Sequence, residues 1–151
     1  MIAKVVSGGQ TWVDRAALDV ALARGIPCGG WCPKGRRAED GSLCSRYPLT
    51  ETPSVDYAQR TEWNVRDADG TLILTWGPAT GGTALTIEVA RRLAKPCLII
   101  DLDAPAIPST VRAWADTNRI QTLNIAGPRE STAPGIYDQA REFLHRALFA
   151  R

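Results

Sequence analysis

The sequence has almost no histidine: His145 is the only one in 151 residues. It lies in a late helical segment among charged residues, where a solvated side chain is the usual interpretation. With a single histidine, we assemble no Ser/His/Asp or Cys/His catalytic set. The spacing of Cys28, Cys32 and Cys44 does not indicate zinc either, because a structural zinc site takes four ligands and no histidine lies nearby.

Long hydrophobic runs and a strong net charge are also missing. No apolar run approaches the roughly 20 residues of a membrane helix, and residues 1–4 lead into a strand pattern instead of a secretory leader. A net charge of +2 provides no long-range field of the kind that nucleic-acid-binding proteins use. We therefore expect a cytoplasmic protein with reduced cysteines, whose partners are small molecules and neither nucleic acid nor membranes.

What the sequence does contain is an alternation of short apolar strands and helix-like segments. Strands are predicted over 2–6, 26–28, 71–75, 97–101 and 122–126, and helices over 10–24, 56–66, 83–94, 108–118 and 134–150. Because parallel strands need helical crossovers, this order predicts α/β architecture: a single Rossmann-like three-layer domain over 1–151, with a mostly parallel sheet of about five strands and helices on both faces. The segment 83–94 is apolar nearly all round, which predicts a well-buried helix. Residues 29–52 form the main irregular loop.

Three glycine-rich turns, over 7–11, 77–83 and 127–131, each follow an apolar run and precede a helix-like segment. The carboxyl ends of parallel strands meet at one edge of a sheet, so backbone N–H groups and helix amino ends should converge there on one phosphate or similar oxyanion. A tight turn or a helix cap is the alternative for each turn taken alone. The residues that we assign to this site are Ser7, Gly8, Gly9, Gln10, Thr11, Gly77, Thr80, Gly81, Gly82, Thr83, Gly127, Pro128 and Arg129.

A phosphate alone does not supply enough binding free energy. A charge-assisted hydrogen bond is worth about 1.5 to 3 kcal/mol, whereas micromolar affinity needs roughly 8 kcal/mol beyond the cost of association. Trp12, Trp31 and Trp76 lie within a few residues of predicted strand ends, where an indole could stack on a flat heterocycle; a core position is the alternative for each. Arg60 and Asn64, one helical turn apart, are candidate paired donors, unless both are simply exposed. The pattern predicts a phosphorylated heterocycle as the ligand.

Several segments together resemble the molybdenum carrier protein family. They are the loop 29–41 (GGWCPKGRRAEDG), the segment 60–65 (RTEWNV) and the Gly-Gly-Thr turn at 81–83. That family is similar to a circularly permuted branch of the SLOG superfamily of Rossmann-like proteins, which includes the lonely-guy phosphoribohydrolases. The resemblance extends over nearly the whole chain and implies binding of the molybdenum cofactor, a pterin with a phosphate and a metal-holding dithiolene, for transport or protection.

On this resemblance, the basic residues Lys34, Arg36 and Arg37 would lie near the anionic end of the cofactor, and the indoles, including Trp31, near the pterin. The superfamily frequently associates through its helices, so the resemblance also implies a homo-oligomer, either a dimer or a tetramer.

One departure from the phosphoribohydrolases bears on catalysis. Their Gly-Thr-x-x-Glu motif carries the acid that serves the cleavage of a base from ribose monophosphate, but Thr86 stands at the position of that glutamate. A hydroxyl does not stabilise an oxocarbenium-like transition state as a carboxylate does, and Glu88 would point about 200° away on a helix. We therefore expect a binding or carrier protein. The alternatives are a nucleotide-processing enzyme with an unrecognised acid and a nucleotide-sensing module.

Overall fold

The computed structural model of the chain describes residues 2–38, 41–42, 45–128 and 133–149, with the backbone alone for Arg37 and Ser42. The strands in these ranges are β1 (Lys4–Val6), β2 (Cys28–Gly29), β3 (Trp31–Cys32), β4 (Arg37–Ala38), β5 (Gly41–Ser42), β6 (Thr50–Glu51), β7 (Gly70–Thr75), β8 (Cys97–Asp101) and β9 (Thr122–Ala126). The helices are α1 (Trp12–Arg24), α2 (Tyr57–Asp67), α3 (Gly81–Arg92), α4 (Ser109–Thr117) and α5 (Ile136–Phe149). None of these described helices has the length and apolar composition that crossing a membrane requires.

Five of the strands form one parallel sheet in the order β2-β1-β9-β7-β8. The predicted α/β fold with about five parallel strands is therefore confirmed. The loop predicted over 29–52 is more regular than expected, because its described part contains the short parallel pair β3–β6 and the antiparallel pair β4–β5.

Helices cover both faces of the sheet, as β7 shows. All six residues of β7 are buried. Leu72 and Leu74 belong to the main hydrophobic core, which includes residues of α1, α4 and α5. Alternate side chains of a strand point to opposite faces, and on the other face α2 packs against α3 through Val65, Val89 and Ala90. The layers are therefore α1, α4 and α5, then the sheet, then α2 and α3.

The prediction of a well-buried helix over 83–94 is wrong. Helix α3 contacts the sheet near its β8 edge and leaves its outer side uncovered, so that Leu85 is 38% exposed. The edge strand β8 is also incompletely covered, since Ile99 is 49% exposed. The residues of α3 that are buried are Thr83, Thr86, Val89 and Ala90.

The sheet topology brings the glycine-rich turns together. All five strands run in one direction, and the turns follow β1, β9 and β7, which are neighbours in the sheet. The chain continues outward from β1 to β2 on one side and from β7 to β8 on the other. Such a reversal of strand order opens a crevice at the carboxyl edge of a parallel sheet, where ligands of α/β proteins bind.

Candidate functional site

A cleft of about 330 Å³ opens at this edge of the sheet. The start of α1, one side of α2, the start of α3 and the turn after β9 form its walls, so it includes residues of all three glycine-rich turns together with Arg60. A concave site at this position is where a ligand of an α/β sheet is expected. The lining residues are Gln10, Thr11, Asp14, Tyr57, Arg60, Thr61, Thr80, Gly81, Gly82, Thr83, Leu85, Thr86, Ala126, Gly127 and Pro128.

The amino end of α3 presents backbone donors to the cleft. The first backbone hydrogen bonds at this end run from the N–H groups of Thr83 and Ala84 to the Thr80 carbonyl oxygen, at 3.1 and 3.2 Å. Gly81 and Gly82 precede them, and the first N–H groups of a helix have no acceptor within the helix itself. The N-cap residue Thr80 makes no side-chain hydrogen bond to this end. Among the described residues, a Cβ atom at Gly81 or Gly82 would meet no atom within 4 Å, which leaves an oxyanion room to approach.

The amino end of α1, by contrast, is closed by the protein's own side chains. Asp14 Oδ2 accepts hydrogen bonds from the N–H groups of Gln10 and Thr11, both at 3.1 Å, and Thr11 Oγ1 accepts one from the Asp14 N–H. The Ser7 hydroxyl accepts the Gly9 N–H at 3.2 Å and donates to the Asp14 carbonyl at 2.8 Å. In this turn Ser7, Gly8 and Gly9 lie outside the described cleft lining, and the N–H groups of Gly9, Gln10 and Thr11 donate to the side chains of Ser7 and Asp14.

Arg60 extends from α2 into the cleft and lies over Gly8. A Cβ atom at Gly8 would be only 2.4 Å from Arg60 Nη1 and 2.9 Å from Cζ. The nearby Asp14 is 1% exposed, and burial raises the pKa of its carboxyl group, an effect that the Arg60 guanidinium and the two backbone hydrogen bonds oppose. The cleft thus combines a guanidinium, a buried carboxyl group and the open end of a helix.

The third turn has a packing role. A Cβ atom at Gly127 would be 2.3 Å from the Leu74 carbonyl oxygen and 2.7 Å from Val13 Cγ1, so glycine at this position allows β9 to end close against β7 and α1. Gly127 and Pro128 line the cleft. Arg129, predicted as a phosphate ligand, lies outside the described residues.

Asn64 and Trp31 lie outside the cleft lining and bind each other. Asn64 Oδ1 accepts the Trp31 N–H at 2.7 Å, and Asn64 Nδ2 donates to the Trp31 carbonyl oxygen at 2.9 Å. The Trp31 indole donates to Asp67 at 2.9 Å and packs edge-on against Trp63, with 4.8 Å between ring centroids. These contacts hold the start of the long loop on α2. Of the predicted donor pair Arg60 and Asn64, Arg60 lines the cleft and Asn64 does not.

Two of the predicted basic residues of the loop, Lys34 and Arg36, also lie outside the described cleft lining. Arg36 donates to two carbonyl groups of its own loop, at 3.2 and 3.0 Å, and Lys34 is exposed. The side chain of Arg37 is not described. Gly77 lies outside the lining as well, and its N–H donates to Asp101 Oδ1 at 3.0 Å. Arg36 therefore organises the loop, and the Gly77 N–H organises the turn after β7.

None of the three predicted indoles lines the cleft. Trp12 packs edge-on against Tyr137, with 5.5 Å between ring centroids. The Trp76 indole N–H donates to Gln139 in α5 and the ring packs against the main core. Trp31 is held on α2, as described above. The alternative of a packing role for each ring agrees with these contacts.

Sequence reasoning did not assign six residues of the cleft lining to the site, namely Asp14, Tyr57, Thr61, Leu85, Thr86 and Ala126. Tyr57 and Leu85 present apolar surface to the cleft and are 37% and 38% exposed, whereas Asp14 is a buried residue of the cleft lining. Tyr57 precedes Arg60 by one helical turn, and this spacing could have indicated a shared face. Asp14 follows Thr11 by three residues, which is the spacing of a capping box. Leu85 carries no comparable signal.

The cleft does not resemble a metal centre. Among the residues that the structure describes, no group of three or more histidine, cysteine, aspartate or glutamate side chains is placed to hold a metal ion. The described lining contains neither cysteine nor histidine. Its chemistry is that of an anion site beside a partly apolar wall.

Comparisons with known proteins agree with this architecture. The model of the circularly permutated YpsA SLOG family matches residues 5–148. The crystal structure of a "Putative molybdenum carrier protein" from Syntrophus aciditrophicus SB is similar to the chain, with 49% sequence identity and a TM-score of 0.93. The similarity covers 97% of this chain and 95% of the other. No curated protein matches the chain.

Proposed function

The chain belongs to the circularly permutated YpsA SLOG family, and from this membership and the cleft we propose that it is a carrier that binds a phosphorylated planar ligand, with the molybdenum cofactor as the leading candidate. The observation that carries the proposal is the open amino end of α3, where Gly81 and Gly82 share a cleft with Arg60. The description of the similar structure as a molybdenum carrier supports the choice of ligand.

The anion would bind at the amino end of α3. Two backbone N–H groups, the helix dipole and a guanidinium all favour negative oxygen atoms at this position, and an arginine can bind phosphate with two parallel hydrogen bonds. Three charge-assisted interactions at about 1.5 to 3 kcal/mol each still fall short of micromolar affinity once the cost of association is included. The rest of the ligand must therefore contribute.

The ring of the ligand would lie against Tyr57 and Leu85. Both side chains are more than one-third exposed and both line the cleft that contains the α3 amino end. A tyrosine offers a flat apolar face on which a heterocycle can stack. This assignment replaces the predicted indoles with one phenol ring.

The molybdenum cofactor fits this set of residues. Its phosphate matches the α3 amino end with Arg60, and its pterin matches the wall at Tyr57 and Leu85. The described lining offers no thiolate or imidazole, so the metal would stay bound by the dithiolene of the cofactor itself. Such an arrangement suits transport or protection of the intact cofactor.

Isothermal titration with purified cofactor tests the proposal, with nucleoside 5′-monophosphates as competitors. We expect micromolar or tighter binding of the cofactor that the nucleotides displace weakly. Equal or tighter binding of a nucleotide would reassign the ligand within the same chemical class. If neither the cofactor nor any nucleotide binds, the proposed function is rejected.

A second candidate function, hydrolysis of a nucleoside 5′-monophosphate to base and ribose 5-phosphate, is favoured by Asp14. This residue places a carboxyl group with a raised pKa in the lining of the cleft. Thr86, at the position of the usual acid, donates its hydroxyl to the Gly82 carbonyl oxygen at 2.9 Å and supplies no carboxylate. Incubation of the protein with nucleoside 5′-monophosphates should release free base if Asp14 serves as the acid, and the Asp14→Asn variant should release none. Complete inertness of the natural protein excludes this function.

The homo-oligomer and the cytoplasmic location stay predictions. Leu85 on α3 and Ile99 on β8 are exposed apolar side chains on neighbouring elements. Light scattering should give the mass of a dimer or tetramer if helices associate there, and the mass of a monomer would contradict that expectation.

A further inference from the structure

The backbone conformation and hydrogen bonds of the first turn do not explain why position 8 is a glycine. Gly8 is buried, and it is not among the glycines with a positive φ, whereas the adjacent Gly9 has φ +69°. An alanine could therefore adopt the same backbone conformation at Gly8 without strain. The hydrogen bonds that close the first turn come from its neighbours, so they do not require glycine here either.

Among the described residues, the side chain of Arg60 is what a Cβ atom at Gly8 would meet first. The three atoms nearest to a Cβ atom at Gly8 all belong to Arg60: Nη1 at 2.4 Å, Cζ at 2.9 Å and Cδ at 3.2 Å. Gly127 differs, because a Cβ atom there would meet the backbone oxygen of Leu74 at 2.3 Å. A backbone atom cannot move without deforming the sheet, whereas the end of an arginine side chain can rotate away.

The position over Gly8 is also favourable for a positive charge. Asp14 lies close enough for the guanidinium to lower its pKa against the larger effect of burial. Arg60 and the amino end of α3 line the same cleft. The guanidinium is therefore held between a buried carboxyl group of α1 and the position proposed for the anion of the ligand.

We propose that Gly8 is a positioning residue that creates the space for the Arg60 guanidinium, so that the first glycine-rich turn serves anion binding through Arg60 and not through its own amides. This inference rests on the proposed function, because it assigns Arg60 to the anion of the ligand. A Cβ atom at position 8 would force the guanidinium to move about 1 Å to reach an ordinary contact distance. A displacement of this size disrupts a two-bond contact with phosphate, whose N–O distances are about 2.7 to 2.9 Å.

The test is a double-mutant cycle on Gly8→Ala and Arg60→Ala, followed by isothermal titration with purified molybdenum cofactor and with adenosine 5′-monophosphate. Each single variant should weaken binding about 10- to 100-fold, as expected for the loss of a charge-assisted contact. The double variant should bind like Arg60→Ala alone, because an alanine lacks the Cδ, Cζ and Nη1 atoms that need the space over Gly8.

The control variant is Gly29→Ala, at another buried glycine without a positive φ. A Cβ atom there would make an ordinary contact, 3.4 Å from the Pro48 carbonyl oxygen, and Gly29 lies outside the cleft lining. We expect unchanged affinity for this variant and, for Gly8→Ala, a melting temperature within a few degrees of the natural protein.

Two outcomes separate this inference from the function on which it rests. If the natural protein binds and Gly8→Ala binds equally well, the positioning role of Gly8 is overturned while the proposed function stands. Fully additive losses in the double variant would also overturn it, because Gly8 would then act independently of Arg60. If the natural protein binds neither probe, the proposed function fails first.

Discussion

Two helices begin at the same edge of the sheet after glycine-rich turns, yet only one of them keeps an open amino end. Both have threonine at the N-cap, Thr11 in α1 and Thr80 in α3. Three residues later α1 has Asp14, which closes the capping box, whereas α3 has Thr83. The Asp14 carboxylate therefore accounts for the difference: it binds the N–H groups at the start of α1, whereas the start of α3 can bind a ligand. A glycine-rich turn therefore indicates an anion site only when no neighbouring acid already accepts its N–H groups.

The largest effect is expected when α3 receives an acid at position 83, which corresponds to Asp14 in α1. Thr83→Asp should weaken binding of the purified cofactor by about 100-fold or more, since the new carboxylate repels the anion and competes for the backbone donors. Titration calorimetry gives the affinity, and a thermal melt should show that the fold persists. Thr83→Asn is the matched control, because it has nearly the same shape without the charge. Equal losses in the two variants would show that charge is not the cause.

A bulky residue at Gly82 tests whether the ligand approaches the α3 backbone closely. Gly82→Val should lower the affinity about 10- to 50-fold, because a branched side chain would occupy the space that is open above this helix start. The melting temperature should hardly change, since none of the atoms that the structure describes lies within 4 Å of the new Cβ. Retained affinity in this variant would contradict binding at this helix end.

The apolar wall of the cleft should contribute less than the anion subsite. Tyr57→Ala should weaken cofactor binding about 3- to 10-fold, in line with a stacking contact of about 0.5 to 1.5 kcal/mol, and should leave the affinity for inorganic phosphate unchanged. Tyr57→Phe keeps the ring and should bind like the natural protein. If the alanine variant loses phosphate affinity as well, Tyr57 acts on the anion subsite instead.

At the closed end of α1, the buried carboxyl group of Asp14 should make the free energy of unfolding depend on pH. Burial raises the pKa of Asp14 above the usual 3.8, so the folded protein binds this proton more tightly than the unfolded chain does. The contribution to the free energy of unfolding is therefore fully present below pH 3.8 and is lost as the pH rises through the raised native pKa. Urea unfolding from pH 3.5 upward should show this decline in the natural protein and less of it in Asp14→Asn. Parallel pH profiles would contradict the raised pKa.

Much of the architecture could be predicted because hydrophobic periodicity is a local signal. The order of strands and helices and the placement of three glycine-rich turns at one sheet edge follow from such local patterns and from the general rules for parallel sheets. The exposure of Leu85 could not be predicted in the same way. An apolar helix indicates cover on all sides, but whether another element supplies that cover depends on the position of α3 near the edge of the sheet.

The site was predictable only in part, for a related reason. Donor residue types and glycine spacing identified Gly82 and Arg60, which line the cleft, but also Asn64, whose amide hydrogen bonds are directed to the backbone of Trp31. The number of donors and acceptors on a side chain is known from its identity. Which partner satisfies them depends on distances between segments that are far apart in the sequence.

By itself, the amino-acid sequence determined the alternation of strands and helices, the parallel sheet and the capping box of Thr11 and Asp14, because each depends on neighbours along the chain. Only the tertiary structure decided that Arg60 lies over Gly8 and that Tyr57 faces the same cleft as the amino end of α3. These contacts join segments separated by many residues. Their geometry is set by how helices pack on the sheet, and no local pattern of residues encodes it.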